Sequence, residues 1–408
     1  MEIIKSLNFV KKYKTFILLP IVCIFQLLAC FFYDFWIAAT IAAVILLLIS
    51  DFAHIIYYTL FFQMFSSCGN FSVICTFVAA AIVCFNYIKG LIKKTEKFYA
   101  KPFILTCIIC LFGSIHFTDI SKGGIYQGAS LIVALFFIYL IFVYRDRFKL
   151  RRCADYLVAG ILTTALISLL TILFNTHHSK FLELFGNLHR LKLLTQNENS
   201  LAIYCSLALS IYVSNILTKK DNIFKNILFG LTTIGFGLST RSKCFLIVCA
   251  FILLYLFFML IVKYKFKSII FIIPMILLIV IMSFAFKTTI AEILKRFMSK
   301  IDGELSLSSL TTQRSKLWTL YFNEITSSIR NLLIGVGFFS KRLYYIGPHN
   351  LLIHLIYRMG LIGIFLLCIL AYFYYQDAKG TRRSLKPTLK TSLTLVVFIM
   401  ISMVESFL

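Results

Sequence analysis

The chemistry-bearing residues of this 408-residue chain gather at the edges of its apolar runs. Arg241 stands in the short polar turn Thr240–Lys243, between two apolar stretches. Arg314 stands one helical turn before Trp318, inside the only long polar segment, 287–350. An arginine keeps its charge at any relevant pH and can hold phosphate oxygens through two parallel N–H bonds. Guanidinium groups at apolar boundaries therefore suit a phosphate-bearing ligand; snorkelling to the interface or fixing topology is the plainer alternative. His349 follows Pro348 at the mouth of a long apolar stretch, with Asn350 beside it. A neutral imidazole there can take the proton of an attacking hydroxyl, or it can simply cap or border a helix. Asn350, like Asn197, Glu198 and Asn199 at the head of another apolar stretch, can bind sugar hydroxyls or serve as a helix cap. Gly335 and Gly337 permit a tight backbone turn ahead of this group.

The elements that must position these residues are hydrophobic helices. Sixty per cent of the chain is hydrophobic and only 14% is charged, against about a quarter charged in a soluble protein. Apolar runs of about 17–25 residues, each long enough to cross a bilayer as a helix, recur from end to end. The expected spans are Phe16–Phe32, Trp36–Ser50, Phe52–Phe65, Phe71–Ile88, Phe103–Phe117, Ala129–Tyr144 and Tyr156–Phe174. They continue as Ser200–Leu217, Ile227–Ser239, Cys244–Val262, Ile269–Phe286, Leu351–Tyr375 and Leu393–Phe407. The fold class is thus all-α: one polytopic integral membrane bundle over residues 1–408, with about 12–13 transmembrane helices. The shortest member, Phe52–Phe65, has Asp51 and His54 near its start.

This register puts the basic connections Lys89–Lys101, Arg145–Arg152, Lys219–Lys225, Lys263–Lys267 and Lys379–Lys390 on one side, as retention of positive charge in the cytoplasm requires. The other side receives the His116 loop, the Asn175–Thr195 loop, the Thr240–Lys243 turn and the long 287–350 loop. Within that last loop Thr312–Ser327 reads as an amphipathic helix, with Thr311 as N-cap and Leu317, Trp318, Tyr321 and Ile325 along one face. Its apolar face suits either the membrane surface or the bundle itself.

The net charge of +25, from 41 Lys and Arg against 16 Asp and Glu, does not signal nucleic acid, because much of it lies in the short connections. Nearly all of the twelve cysteines fall inside apolar runs, and the Cys107–Cys110 pair lacks a second pair at zinc spacing, so they read as small packing residues. His177, His178 and His189 come without a carboxylate cluster at ligand spacing, and no metal is expected. Leu27–Cys30 imitates a lipoprotein cleavage box, but Phe31, Phe32 and Trp36 follow it; a retained first span flanked by Lys5, Lys11, Lys12 and Lys14 is expected instead.

Taken together, four stretches resemble the O-antigen ligase/polymerase family of bacterial membrane glycosyltransferases. LSTRSK (Leu238–Lys243) is similar to its Ser-Arg turn, and TTQRSKLW (Thr311–Trp318) to its loop arginine followed by an aromatic residue. GVG (Gly335–Gly337) and PHNLLIHLIYRMGLIG (Pro348–Gly363) are similar to its glycine turn and its His-Asn helix entry. QNENSLA (Gln196–Ala202) is a weaker match to an Asn-containing entry. The resemblance covers about Arg190 to Gly363; before that only hydropathy agrees. It departs at Arg358, where many members carry an acid two positions before the glycine, and at Leu408, which follows closely on the last apolar run.

The resemblance implies a cofactor-free, metal-independent transfer of glycan from undecaprenyl pyrophosphate to an acceptor hydroxyl, on the outward face of the bacterial cytoplasmic membrane. In that scheme Arg241 and Arg314 stabilise the leaving pyrophosphate, His349 orients or deprotonates the acceptor, and Asn350, Arg190 and Asn199 position substrates. Membrane lipid, a chain-length regulator and a flippase are the partners it implies. Two readings share donor and fold: a polymerase of surface-polysaccharide repeat units (capsule, exopolysaccharide or O-antigen), and a ligase that moves finished glycan to a terminal acceptor. A third, transport or flipping of lipid-linked glycan, calls for ionisable residues or broken helices at mid-membrane. Only Pro20 and Pro274 fall within spans, and mid-span charges are nearly absent.

Overall fold

The computed structural model describes residues 2–114, 122–174, 185–186, 190–195, 197–218, 222–264, 287, 291, 314–340, 350–381 and 389–402. These are overwhelmingly helical. In chain order the helices are α1 (Glu2–Phe31), α2 (Phe35–Leu48), α3 (Phe52–Phe62, extended by a 3-10 turn Gln63–Phe65), α4 (Phe71–Ile92), α5 (Ala100–Ser114), α6 (Lys122–Val143) and α7 (Leu150–Leu173). After a two-residue antiparallel ladder, β1 (Phe185–Gly186) with β2 (Arg190–Leu191), come α8 (Glu198–Thr218), α9 (Ile223–Ser239) and α10 (Lys243–Tyr264). The remainder comprises α11 (Arg314–Thr326), α12 (Ile329–Ile334), α13 (Leu351–Thr381) and α14 (Leu389–Ser402). The expected span Ile269–Phe286, the His116 loop and the Thr311 cap lie outside the described residues.

Among the described residues, five helices are long and apolar enough to cross a bilayer: Phe71–Ile92, Leu150–Leu173, Glu198–Thr218, Lys243–Val262 and Leu351–Asp377. The other apolar helices have 10–17 residues. Large apolar side chains stand exposed on several of these helices, among them Ile24, Ile41, Leu48, Phe85, Leu166 and Leu254. All twelve cysteines are free thiols, several of them deep in the packing.

The chain folds as two compact units, residues 1–86 with 146–293, and residues 87–145 with 294–408. In the first unit α3 is an inner helix: Ile55, Tyr57, Tyr58, Phe61 and Phe62 are all buried. Asp51 caps it by accepting the His54 amide at 3.0 Å, which accounts for the polar residues at its start. Tyr57 stacks on Tyr156 at 5.3 Å and its hydroxyl accepts the Lys149 amide at 2.8 Å. At the opposite end of α3, the Ser67 amide and hydroxyl both donate to the Leu194 carbonyl, at 3.0 and 2.7 Å. Hence 51–57 meets 149–156 at one end of α3, while Ser67 meets Leu194 at the other. A further tie joins α7, α8 and α9: Asp155 accepts from Lys225 Nζ at 2.7 Å and from the Tyr212 hydroxyl at 3.1 Å.

In the second unit α5 packs on α6 and α13, while α11 and α12 both pack on α13. Leu317, Trp318, Tyr321 and Ile325 of α11 lie against Ile353, Ile356 and Tyr357 of α13, with Tyr321 edge-on to Tyr357 at 5.0 Å. The apolar face expected for this helix is therefore covered by protein. The apolar stretch Leu351–Tyr375 is present as α13, with one feature the sequence reading lacked: Gly360 adopts φ 62°, ψ −171° and divides the helix into a short first half and a longer second half.

Candidate functional site

The predicted site residues divide between the two units, three on each side of the division. In the first unit the α9–α10 turn is built by local bonds. Thr240 closes α9, its amide shared between the carbonyls of Phe236 and Gly237, and its hydroxyl donates to Gly237 at 2.6 Å. Arg241 follows with its amide on the Leu238 carbonyl at 2.9 Å and with φ 51°. This left-handed position after a helix end is ordinarily glycine, since a Cβ costs roughly 1–2 kcal/mol there. Arg241 itself is half-buried. Next, Ser242 starts α10 by accepting the Leu246 amide at 3.1 Å.

The Ser242 hydroxyl donates to Asn199 Oδ1 at 3.4 Å, so Asn199 in the first turn of α8 faces the arginine turn. The capping role belongs to Asn197, whose Oδ1 accepts the Ser200 amide at 2.8 Å and the Ser200 hydroxyl at 3.1 Å. At 197–199 the cap is therefore Asn197, while Asn199 bonds to the α9–α10 turn. Arg190 is carried by β2, which lies against α9. Its backbone pairs with Gly186. The stretch that follows is tucked in: Leu193, Leu194 and Thr195 are buried, and Leu193 has φ 55°.

In the second unit Arg314 opens the described part of α11 and is half-buried. His349 lies outside the described residues. Asn350 is buried and caps α13, its Oδ1 accepting the Ile353 amide at 3.1 Å. A cap of this kind contributes about 0.5–2 kcal/mol. The Asn350→Ser variant keeps a capping oxygen, whereas Asn350→Ala does not. Thermal unfolding should therefore place Asn350→Ser within a few tenths of a kcal/mol of wild type and Asn350→Ala about 1 kcal/mol below it. If Asn350 also handles substrate, both variants lose activity; full activity in Asn350→Ser would reduce its role to capping.

The same face of α13 holds two residues that the sequence reading did not assign to the site. Asn350, His354 and Arg358 recur at every fourth position, and their exposures are 7%, 4% and 1%. Three buried polar side chains one turn apart form a polar stripe inside an otherwise apolar helix. That spacing is legible in NLLIHLIYR, though its burial is not.

Arg358 meets the glycine turn. Its guanidinium donates to the carbonyls of Gly337, Phe338 and Ser340 at 3.2, 3.3 and 2.6 Å, and lies 5.7 Å from the Tyr357 ring centre. Burying a cation costs several kcal/mol unless such acceptors surround it. The turn also enters the break in α13 directly: the Val336 amide donates to Tyr357 and the Gly337 amide to Arg358, both at 2.9 Å. In an uninterrupted helix those two carbonyls would take the amides of Leu361 and Ile362. Finally, the Phe338 amide donates to Gly113 of α5 at 2.7 Å, and its ring enters the core of Leu105, Ile109, Leu131 and Met359.

The arrangement supplies fixed cations, amide groups and buried polar hydrogen bonds. Among the described residues no group of three or more His, Cys, Asp or Glu side chains is placed to hold a metal ion. Comparison with protein-family models, with curated proteins and with solved structures finds no match.

Proposed function

We propose that this chain is a membrane glycosyltransferase that joins lipid-pyrophosphate-linked oligosaccharide units of a surface polysaccharide. In this reading about 12–13 spans cross the bacterial cytoplasmic membrane, and Arg241, Arg314 and His349 act at its outer face. The acceptor hydroxyl oxygen bonds to the anomeric carbon of the donor glycan. The bond from that carbon to the phosphate oxygen breaks, its electron pair leaves with undecaprenyl pyrophosphate, and His349 takes the hydroxyl proton. Negative charge grows on the pyrophosphate as the bond breaks. Fixed guanidinium groups of Arg241 and Arg314 therefore bind the transition state better than the ground state. Asn350, Arg190 and Asn199 position the sugars.

The observation that supports this reading most is the backbone of Arg241. A non-glycine residue held at positive φ stores strain, and such residues cluster at functional sites. The Asn199 contact with the same turn adds a sugar-binding type of side chain beside the cation.

A ligase acting on the same donor uses the same residues and differs only in acceptor. The transport reading gains one feature, the break at Gly360, since broken helices line transporter sites. Here, however, the carbonyls at the break are bonded by the Val336 and Gly337 amides rather than left for a ligand. The discriminating experiment is the length of surface polysaccharide in a strain lacking this chain. Single repeat units on the normal acceptor are expected. Long chains left on the lipid carrier would identify a ligase, and a complete lack of exported units would identify a flippase.

A further inference from the structure

We propose that Gln26 and Ser168 hold a water molecule between α1 and α7, inside the first unit. The inference is independent of the glycosyltransferase reading. Three contacts fix the level of one helix against the other. The Thr15 side chain meets Tyr156, the Cys30 thiol meets the Thr171 hydroxyl, and the Phe31 ring lies 6.3 Å from the Phe174 ring. The partners are 141 positions apart in the first two pairs and 143 in the third, so the helices run in the same direction. Gln26 therefore stands at the height of residues 167–169, where α7 carries Ser168.

Both faces are polar there. On α7, Thr164, Ser168 and Thr171 share one side at helical spacing, and all three are buried. On α1, Gln26 and Cys30 are buried one turn apart. Most of these groups are satisfied within their own helix. The Thr164 hydroxyl donates to the carbonyls of Gly160 and Ile161 at 3.0 and 2.9 Å, and the Thr171 hydroxyl to Ile167 at 2.7 Å. The Cys30 thiol donates to the Gln26 carbonyl at 3.4 Å. The exceptions are the Gln26 amide and the Ser168 hydroxyl. Both residues are 0% exposed, and Gln26 Oε1, Gln26 Nε2 and Ser168 Oγ have no hydrogen-bond partner among the described residues.

Buried polar atoms are paired with protein or with ordered water, because an orphaned one forfeits its hydration. A direct bond between the amide and the hydroxyl serves one end of the amide and leaves the other unmet. One water serves all three atoms: it accepts from Nε2 and donates to Oγ, and the Ser168 proton turns to Oε1. The enclosure sets the size of the guest. Neither side chain reaches solvent, and the neighbours of Gln26 on α1, Ala29 and Cys30, are small. Water is the smallest molecule that both donates and accepts. The bridge also fixes the rotation of α1, since only the face carrying Gln26 brings an amide to Ser168.

The test is radiolytic hydroxyl labelling of the full chain in nanodiscs, read by mass spectrometry. Radicals formed from a buried water mark the side chains beside it. Cys30 is the reporter, and the control is Cys249, also buried but carried by α10, which packs on α8 and α9. In the wild type Cys30 should be labelled several-fold faster than Cys249. In Gln26→Leu and in Ser168→Ala its rate should fall to that of Cys249. If Gln26→Leu does not accumulate, Ser168→Ala, which removes a single hydroxyl, carries the same comparison. Equal labelling of Cys30 and Cys249 in the wild type would overturn the proposal, leaving the amide and hydroxyl bonded directly to each other. Undiminished labelling of Cys30 in a folded Ser168→Ala protein would equally overturn the assignment of the water to this pair.

Discussion

An alanine at position 360 is expected to bring the protein close to unfolding. Gly360 has φ 62° and ψ −171°, a region that is essentially reserved for glycine, and entering it with a side chain costs roughly 1–3 kcal/mol. The added methyl would also fall on the Leu333 carbonyl, where backbone rather than a flexible side chain must yield. Forced overpacking adds about 1–3 kcal/mol, so that the sum is a large part of a typical net stability of about 5–15 kcal/mol. Gly235 in α9 is the matched control, since an added Cβ there meets nothing within 4 Å. Gly235→Ala should gain about 0.5–1 kcal/mol from helix propensity. Thermal unfolding in detergent should therefore move the two variants in opposite directions; equal midpoints would contradict the close approach of Gly360 to Leu333.

The second large effect separates strain from function at Arg241. Glycine fits φ 51° without penalty, so Arg241→Gly should unfold at or above the wild-type temperature, relieving about 1 kcal/mol of backbone strain. Its glycan-transfer rate should nevertheless fall about 100- to 1,000-fold, the usual cost of removing one preorganised electrostatic contact to a transition state. Arg241→Ala should lose the rate without the gain in stability. A stable Arg241→Gly protein that transfers glycan at the wild-type rate would leave the arginine as a topology signal only.

The parts of the fold read from the sequence are those set by local pattern. The starts of α4 at Phe71 and α10 at Lys243 follow from where apolar runs meet polar turns. The buried face of α11, through Leu317, Trp318, Tyr321 and Ile325, follows from 3.6-residue periodicity. Gly335 and Gly337 are legible as a turn because adjacent glycines two apart have few other uses. What the turn docks into is not legible. Gly360 sits in a run of apolar residues, where a single glycine is compatible with a continuous helix, and its break depends on backbone arriving from residues 333–337. The burial of Arg358 is not legible for the same reason: it depends on carbonyls that lie about twenty positions earlier in the chain. At 197–199 the local pattern identifies a cap but cannot assign it to one asparagine, because the partner of Asn199 comes from the α9–α10 turn. The positive φ of Arg241 had only a faint signal, a non-glycine residue in a very short turn between helices.

The central claim is that this chain itself transfers glycan from a lipid pyrophosphate. Its most direct test is purified wild-type protein in nanodiscs, supplied with undecaprenyl-pyrophosphate-linked repeat units and no other protein. The account predicts longer lipid-linked chains, release of undecaprenyl pyrophosphate, and no elongation by Arg241→Gly at equal protein amount. Repeat units that remain single with folded protein and a matched acceptor would contradict it.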